Sequence, residues 1–592
     1  MITPGVIIDL IIAYAVVIIS ALVSGYGITR IDIVLPLEFL AVFLLLEAVR
    51  RKVSGKEALK LYSPAFLWKN AFCRNAGLLT GSIFALTVVV GRHVEVYSEI
   101  CFTEMGGADI LLALLLIPLF SYLFMSLFSF IEEIGGREAV SSGLGRSHRF
   151  RLSMLAFLII LLAYLPYYLN NYPGNLGKDT FEEVKMCLGL IPWTNHHPFF
   201  YTGLIDLIIK LTSGPGSLTL SLGVFTYVQM CLYIVTLVYI LNWMERHGFR
   251  KIWIAAAFVF FAFHPFMPMY AIYASKDTLF ACATVLMCLA IYDERPIAMG
   301  VFGLLTMLLR NNGIFMVAAL FIYLIFCKKA GRLKSIISVG TALIAFIIAG
   351  SVATNCFGVA KGSFAESMGV PLQQMGYCVV YSGDNIEEED LAYLERLMPL
   401  ERVKEVYTPG LSDPYKFDEA FDDELVNENK GEFLKVWFHM LTGNFADYVK
   451  AYLVHTSGYW HFGESNTVVI QSVCENDMGV DNINLLEDIL KLNADSIIEG
   501  LMLGMRKAPL LNILSSMAME LWGIVILTVV TLRRKRRIGY LIPLLALWVT
   551  IMLATPAYCL FRYMYPCFIL WPVTLGLIFD PSVRNGNDQS FT

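Results

Sequence analysis

The chain has 592 residues, of which 57% are hydrophobic and 16% charged, and its mean hydropathy is +0.64. Its apolar residues come in long blocks, which excludes an ordinary soluble domain and indicates a polytopic α-helical membrane protein. The net charge of -5 excludes a generally basic nucleic-acid binder, and the 12 cysteines form none of the CxxC pairs of zinc or redox sites.

Apolar runs of about 17 to 25 residues predict about fourteen membrane spans. They lie near 6–24, 34–49, 76–90, 109–130, 152–169, 217–242, 252–270, 277–292, 296–309, 313–327, 335–355, 510–532, 538–555 and 563–579. The first run lacks a signal-peptide cleavage pattern and is expected to be retained. The runs at 34–49 and 298–309 are weak enough to be re-entrant segments instead.

Basic residues predict the orientation, because short cytoplasmic loops carry an excess of Lys and Arg. Five clusters lie near 50–60, 137–151, 246–251, 328–334 and 533–537. With the predicted spans, all five fall on one side of the membrane. We therefore expect a multi-pass protein of the bacterial inner or plasma membrane with both termini in the cytoplasm, and the polar loop 170–198 outside.

The same pattern divides the chain into four regions. Residues 1–151 form accessory membrane helices, 152–355 a transmembrane core with the outer loop 170–198, and 356–509 a small, mostly helical extracytoplasmic domain. Residues 510–592 supply the last spans and a cytoplasmic tail. Acidic residues outnumber basic ones in the extracytoplasmic region, whose Tyr459 and Trp460 resemble an interfacial aromatic patch.

Asp179 is the carboxylate of greatest interest in the outer loop. At the boundary between water and bilayer, beside an apolar wall, it could act as a general base toward an acceptor hydroxyl. Its spacing to Glu182 equally fits a capping box at the start of a loop helix. The spacing alone leaves both interpretations open.

His196 and His197 end the same loop. Their imidazoles could bind a sugar or a phosphate, or join Asp179 at a divalent ion. Adjacent residues of an extended segment point in opposite directions, so one histidine acting and one packing is favoured over both binding one metal.

Three basic residues lie at predicted outer helix ends: Lys276, Arg310 and Arg562. Each could simply snorkel, with its stem on apolar surface and its charge among the headgroups. Alternatively, the three could hold a lipid-linked phosphate, because a guanidinium binds phosphate in bidentate fashion and an ammonium adds a point charge. Their position on the same face as Asp179 favours the phosphate site.

Together these motifs resemble the GT-C superfamily of integral-membrane glycosyltransferases, which use polyprenyl-phosphate-linked sugars. The resemblance covers about residues 150 to 580: an apolar helix leads to a long outer loop with an acidic residue, YPGNLGKDTFEE, and a soluble outer segment precedes the last spans. The later motifs ASKDT, LLRNNG and LFRYMYP place basic residues at outer helix ends. The motifs YPG, HHP, SKDT, RNNG and FRYMYP are also similar to those of a group of uncharacterised bacterial polytopic proteins.

The resemblance implies a GT-C-like helical bundle and an enzyme that transfers a sugar to an extracytoplasmic glycan, lipid or protein by an inverting displacement. It implies that Asp179 is the catalytic base and that Lys276, Arg310 and Arg562 hold the donor phosphate. The expected substrate-binding residues are Lys178, His196, His197, Asp277, Asn311, Tyr459 and Trp460.

The resemblance also bears on the cofactor. Many relatives carry two adjacent acidic residues in the outer loop, whereas this chain has Asp179-Thr180. We therefore expect no metal cofactor; a divalent cation such as Mg or Mn would be bound by Asp179 with His196 or His197.

Two further hypotheses remain open. A lipid-linked oligosaccharide polymerase or ligase uses the same kind of donor but transfers a whole glycan. A transporter or flippase would line a pathway with Asp179, Lys276 and Arg310, although transporters place ionisable groups near the midplane and in two related halves.

Overall fold

A computed structural model of the chain describes residues 34–52, 63–94, 102–135, 146–212, 217–327, 331–382, 385–462, 472–534 and 538–580, with a few positions between 10 and 21. These residues form helices joined by turns, and their extended backbone makes only isolated bridges. Most of the first predicted span, parts of the basic clusters and the tail after 580 lie outside the described residues.

The first half of the described chain contains α1 (Val34–Lys52), α2 (Pro64–Lys69), α3 (Ala71–Gly91), α4 (Gly107–Gly135), α5 (Arg146–Asn170), α6 (Lys178–Cys187), α7 (Phe199–Thr212), α8 (Leu218–Arg246), α9 (Lys251–Phe263), α10 (Phe266–Ala271), α11 (Lys276–Tyr292), α12 (Pro296–Leu309), α13 (Gly313–Phe326) and α14 (Arg332–Phe357).

The second half contains α15 (Gly369–Tyr381), α16 (Glu388–Leu397), α17 (Leu400–Val406), α18 (Asp413–Lys416), α19 (Asp423–Glu428), α20 (Lys430–Gly443), α21 (Phe445–Thr456), α22 (Leu485–Leu490), α23 (Asp495–Lys507), α24 (Pro509–Leu514), α25 (Met517–Arg533), α26 (Ile542–Ala554), α27 (Tyr565–Ile569) and α28 (Trp571–Phe579). Short 3-10 turns cover Ala365–Met368, Ser457–Tyr459, Gly539–Leu541 and Phe561–Tyr563.

Five helices are long and apolar enough to cross a bilayer by their length and composition: α3, α4, α5, α8 and α14. Shorter apolar helices accompany them, among them α9, α12 and α13. The chain is therefore all-helical in its described part and compatible with a helical membrane protein, as its composition predicts. The predicted number of about fourteen spans is larger than these five helices establish.

Several predicted spans are interrupted in the structure. The run 252–270 breaks into α9 and α10 at His264-Pro265, where His264 is extended because the residue before a proline avoids the helical conformation. The run 510–532 breaks between α24 and α25. Helix α7 was not predicted as a span, because its apolar stretch is short and carries Asp206 and Lys210.

Buried aromatic side chains hold the helices of the bundle together. Trp243 of α8 is fully buried, and the rings of Tyr233 and Tyr565 stack at 6.2 Å. The hydroxyl of Tyr164 in α5 donates a 2.6 Å hydrogen bond to the carbonyl of Phe261 in α9. Such rings bury a large apolar area while their polar atoms find partners inside the protein.

The segment predicted to be extracytoplasmic has a hydrophobic core of its own between Ala365 and Tyr448, and we call this part the lobe. The residues that follow pack elsewhere: Val454, Tyr459 and Val480 belong to the hydrophobic core of the helical bundle. Among the described residues of the segment 356–509, those between Ala365 and Tyr448 therefore pack as a separate lobe, whereas Val454, Tyr459 and Val480 pack with the bundle.

The predicted orientation can be tested with one introduced cysteine at a time in a Cys356→Ser background, which removes an exposed thiol; the labelling of that background is subtracted. Lys178 and Lys251 are both exposed, and they lie on opposite faces in the predicted topology. We expect a membrane-impermeant maleimide to label Lys178→Cys in intact cells. It should label Lys251→Cys only after the cells are permeabilised. The reverse labelling pattern would contradict the orientation.

Candidate functional site

The loop that joins α5 to α6 is clamped from two sides. Asn175 exchanges two backbone hydrogen bonds, of 2.9 and 3.0 Å, with the segment 272–274 before α11. Leu176 exchanges two more, of 3.1 and 2.9 Å, with the segment 472–474. A loop with both edges bonded in this way has little freedom, so the first turn of α6 is held at a defined distance from the first turn of α11.

Gly174 is required in this loop by its conformation and by its surroundings. Its φ is +131°, which L-residues with a side chain rarely adopt. A Cβ atom at this position would lie 2.7 Å from Cγ2 of Thr226 and 2.8 Å from the carbonyl oxygen of Ile272. The glycine therefore lets the loop pass directly over α8.

The two helices that meet here begin with the same tripeptide. Helix α6 starts with Lys178-Asp179-Thr180, and α11 starts with Lys276-Asp277-Thr278. The hydroxyl of Thr180 donates a 2.7 Å hydrogen bond to the carbonyl of Ala274, which ties one helix start to the other. Each aspartate occupies the second position of its helix, where the positive end of the helix dipole stabilises a carboxylate.

Three basic side chains converge on these two carboxylates. Oδ2 of Asp179 lies 3.3 Å from Nη1 of Arg562 and 3.8 Å from Nζ of Lys276. Oδ1 of Asp277 accepts a 2.7 Å hydrogen bond from Nη1 of Arg310, and its Oδ2 lies 3.7 Å from Nε of Arg562. Arg562 therefore lies between the two aspartates. We call these five residues the ion cluster.

The two aspartates differ in exposure. The side chain of Asp277 is 1% exposed, and it also accepts a 3.2 Å hydrogen bond from the hydroxyl of Ser275. The side chain of Asp179 is 43% exposed. Asp277 is thus enclosed and fixes its neighbours, whereas Asp179 is the carboxylate that is open to solvent.

The aromatic ring of Tyr563 supports the arginines of the cluster. The guanidinium carbon of Arg310 lies 4.2 Å from the ring centre, and that of Arg562 lies 5.4 Å from it. A guanidinium over an aromatic face gains a cation–π attraction. Arg310 therefore has both a buried carboxylate and a ring as partners.

Two purely structural interpretations of these residues, a capping box and snorkelling, do not match the contacts. Helix α6 has Gly177 as its N-cap without a side-chain capping bond, so Asp179 and Glu182 do not form the capping box that their spacing suggests. The three basic side chains are mostly buried and face carboxylates, which differs from snorkelling into headgroups.

The pKa values of Asp179 and of the neighbouring Glu183 are shifted in opposite directions. Burial alone would raise the pKa of Asp179, but the charges of Lys276 and Arg562 hold it well below its ordinary value. Glu183, one helical position beyond Glu182, is buried, and burial raises its pKa to about 8 despite the charge of Lys276. Near neutral pH, Asp179 is therefore ionised and Glu183 is mostly protonated.

The two histidines have different partners. The ammonium of Lys276 donates a 2.7 Å hydrogen bond to Nδ1 of His197, and burial together with this ammonium lowers the pKa of His197. Nδ1 of His196 instead contacts Oε1 of Glu366 in the lobe. His197 is thus a neutral acceptor that positions Lys276, and His196 joins the loop to the lobe.

These contacts do not fit a divalent cation. The carboxylate of Asp179 faces two basic side chains, and Nδ1 of His197 already accepts a hydrogen from Lys276. Within the described part of the chain, no group of three or more His, Cys, Asp and Glu side chains is arranged to hold a metal ion. The charge partners of Asp179 in this structure are Lys276 and Arg562.

The remaining predicted binding residues lie around the cluster at different depths. Lys178 is exposed at the start of α6. The amide of Asn311 donates a 3.0 Å hydrogen bond to the carbonyl of Asn195 and so joins the Arg310 turn to the histidine loop. Tyr459 and Trp460 are buried inside the protein, which differs from the interfacial aromatic patch that they resemble in sequence.

Tyr459 is hydrogen-bonded to the segment that leads to Arg562. Its hydroxyl donates a 3.0 Å hydrogen bond to the carbonyl of Ala557 and accepts a 3.3 Å bond from the backbone N–H of Leu560. Nε2 of His455 lies 2.8 Å from the carbonyl of Thr555 in the same segment. These bonds fix the path between α26 and Arg562.

Three residues of the site were not predicted from the sequence: Glu183, Glu366 and Tyr563. Tyr563 directly follows Arg562 in the FRYMYP motif, so an aromatic partner for the arginine was visible there. The repeated Lys-Asp-Thr was a second visible signal. Glu183 and Glu366 had no such signal, because their roles depend on burial and on a contact between distant segments.

We expect Asp277→Asn to destabilise the protein, because Arg310 and Arg562 would lose a buried counter-charge. Breaking a buried ion pair costs about 3 kcal/mol. The melting temperature in detergent should therefore fall clearly for Asp277→Asn. Asp206→Asn is the matched control: Asp206 pairs with an exposed Lys210, and such pairs contribute less than about 1 kcal/mol. Equal melting temperatures for the two variants would contradict the structural role of Asp277.

Glu183 should make stability depend on pH. Its folded pKa is raised from 4.5 to about 8, so its contribution is fully present below its ordinary pKa and is lost as the pH rises through about 8. We expect the melting temperature of the wild type to fall over this range more steeply than that of Glu183→Gln, which cannot ionise. Parallel curves for the two proteins would show that Glu183 ionises normally.

Comparison with known proteins adds the family. No curated protein and no solved structure shows a significant match to the chain. A model of a family of unknown function, DUF6020, matches residues 190–590, which is more than half of the chain. The match includes Lys276, Arg310 and Arg562 and begins after Asp179. The chain belongs to this family, DUF6020.

Proposed function

We propose that the protein is a membrane glycosyltransferase that moves a sugar from a polyprenyl-phosphate-linked donor to an acceptor outside the cytoplasm. The single observation that carries the proposal is the ion cluster itself. One reachable carboxylate, Asp179, lies within 4 Å of two basic side chains that come from α11 and from the turn before α27. Proton removal and phosphate binding can therefore take place side by side.

The charge balance of the cluster favours an anionic ligand. Lys276, Arg310 and Arg562 carry three positive charges against the two carboxylates of Asp179 and Asp277. Glu183 adds little negative charge near neutral pH, because its pKa is about 8. One positive charge is left for a ligand.

Arg562 also has an unused donor. Its Nε is buried and has no hydrogen-bond partner among the described residues, at 3.7 Å from Oδ2 of Asp277. A buried donor without a partner costs about 1 to 3 kcal/mol. A phosphate oxygen would supply that partner, and a guanidinium binds phosphate oxygens in bidentate fashion.

The proposed reaction is one displacement. The acceptor hydroxyl loses its proton to the Asp179 carboxylate while its oxygen bonds to the anomeric carbon, and the bond from that carbon to the phosphate oxygen breaks. The leaving phosphate takes the electron pair, and Lys276 and Arg562 stabilise its charge. Inversion at the anomeric carbon follows from attack opposite the leaving group.

A lipid-linked donor suits the position of the cluster. The cluster lies at the starts of α6 and α11, and α6 follows α5, which is long and apolar enough to cross a membrane. Glu366 of the lobe contacts His196, which neighbours the His197 that bonds Lys276. A donor held by its phosphate at this level keeps its lipid chain along the helices. Holding both reactants in place makes the step effectively unimolecular.

The proposal is tested with purified protein in nanodiscs, short-chain polyprenyl-phosphate sugars and acceptor extracts, with mass spectrometry of the released polyprenyl phosphate and of the product. We expect Asp179→Asn to lower transfer at least about 100-fold, because general base catalysis contributes that much. Arg562→Lys should also lower transfer, because lysine keeps the positive charge but lacks the planar guanidinium that binds two phosphate oxygens.

Glu182→Gln is the matched control, since Glu182 is an exposed carboxylate on the same helix that pairs with Lys185. It should transfer like the wild type. Full transfer by Asp179→Asn would end its assignment as the base. A product enlarged by a whole glycan would identify a polymerase or ligase, and donor movement across liposomes without a covalent product would identify a flippase.

A further inference from the structure

We infer that Asp179 is an internal competitor for the anionic ligand: Lys276 and Arg562 hold its carboxylate in the free protein and exchange it for a phosphate monoester. The inference rests on the proposed function in one respect only, namely that the released Asp179 carboxylate then acts as the base. The exchange itself requires only that a phosphate binds at the ion cluster.

The contacts of Asp179 support an exchange. Both of its basic partners approach the same oxygen, Oδ2, at 3.3 and 3.8 Å. These are long contacts for a charged pair, and the side chain is 43% exposed, so an incoming anion can reach both cations. A phosphate oxygen close to Lys276 and Arg562 would take the place that Oδ2 has now.

Neither cation depends on Asp179 for its position. Lys276 is also bonded to Nδ1 of His197 at 2.7 Å. Arg562 also faces Asp277 and lies over the ring of Tyr563. Both side chains can therefore stay in place while the Asp179 carboxylate moves away from them.

Arg310 has a different role from the other two cations. It makes the shortest ion pair of the cluster, 2.7 Å to a carboxylate that is only 1% exposed, and its guanidinium lies 4.2 Å from the ring of Tyr563. An anion would have to displace a buried counter-charge to bind it directly. Arg310 is therefore a positioning residue for Asp277, and Lys276 and Arg562 are the ligands of the anion.

The exchange links binding to the proposed chemistry. A carboxylate held by two cations is a weak base, and its pKa lies well below its ordinary value in the structure. Once an anion neutralises those cations, the carboxylate regains its affinity for a proton. Coupling of this kind is reciprocal, so removing the charge of Asp179 must strengthen anion binding.

The test measures the binding of inorganic phosphate and of farnesyl phosphate to the full-length protein in detergent by isothermal titration calorimetry. Asp179→Asn should bind both ligands roughly tenfold more tightly than the wild type, because one competing charge near 4 Å is removed in a partly hydrated site. If Asp179→Asn binds only farnesyl phosphate more tightly, the natural ligand is a lipid headgroup. If it binds both ligands more tightly by the same factor, the site recognises the phosphate group in general.

The controls separate direct pairing from a general change of charge. Glu182→Gln also removes one negative charge from α6, but Glu182 contacts Lys185 and not the ion cluster. The affinity of this variant for phosphate should therefore change less than about twofold. Arg562→Gln should lose binding. Unchanged or weaker binding by Asp179→Asn, or no binding by any of these proteins, would overturn the inference.

The outcome is separable from that of the transfer assay. If Asp179→Asn binds phosphate more tightly and the wild type transfers no sugar, the exchange stands and the proposed reaction fails. If the wild type transfers sugar and Asp179→Asn binds no more tightly, the reaction stands and the exchange fails.

Discussion

The site depends on one shared residue, because Arg562 lies between the carboxylates that open two separate helices. Its Nη1 faces Asp179 and its Nε faces Asp277. Without this cation, two like charges at adjacent helix starts would repel each other. Its own position is set from a distance, since Tyr459 and His455 hold the segment that leads to it. A bonded backbone path thus fixes the charge at the centre of the site.

The two aspartates differ in exposure, so only one of them can readily change its partners. Asp277 is enclosed by Arg310, Arg562 and Ser275, and a buried carboxylate with several partners is costly to disturb. Asp179 has long contacts and an open side, so its partners can be exchanged. A site built in this way keeps its framework when a ligand binds, because the enclosed half does not need to move.

The irregular backbone around the cluster needs many bonds because it is buried. Residues 172–177 and 272–275 are not helical, and buried backbone N–H and C=O groups must find partners within the protein. They satisfy each other through the bonds of Asn175, and the segment 472–474 bonds to Leu176. The segment 472–474 therefore helps to hold the loop that leads to Asp179.

The sequence by itself determined the helical class, the positions of the long apolar helices and the residues worth examining, because long apolar blocks and isolated charges at their ends are local features. Asp179, Lys276, Arg310 and Arg562 could be selected in this way. Tertiary structure alone decided that Arg562 joins two aspartates, that Asp277 and not Asp179 is enclosed, and that Glu183 is buried. Burial and pairing between residues hundreds of positions apart depend on how the helices pack, and no local pattern records that.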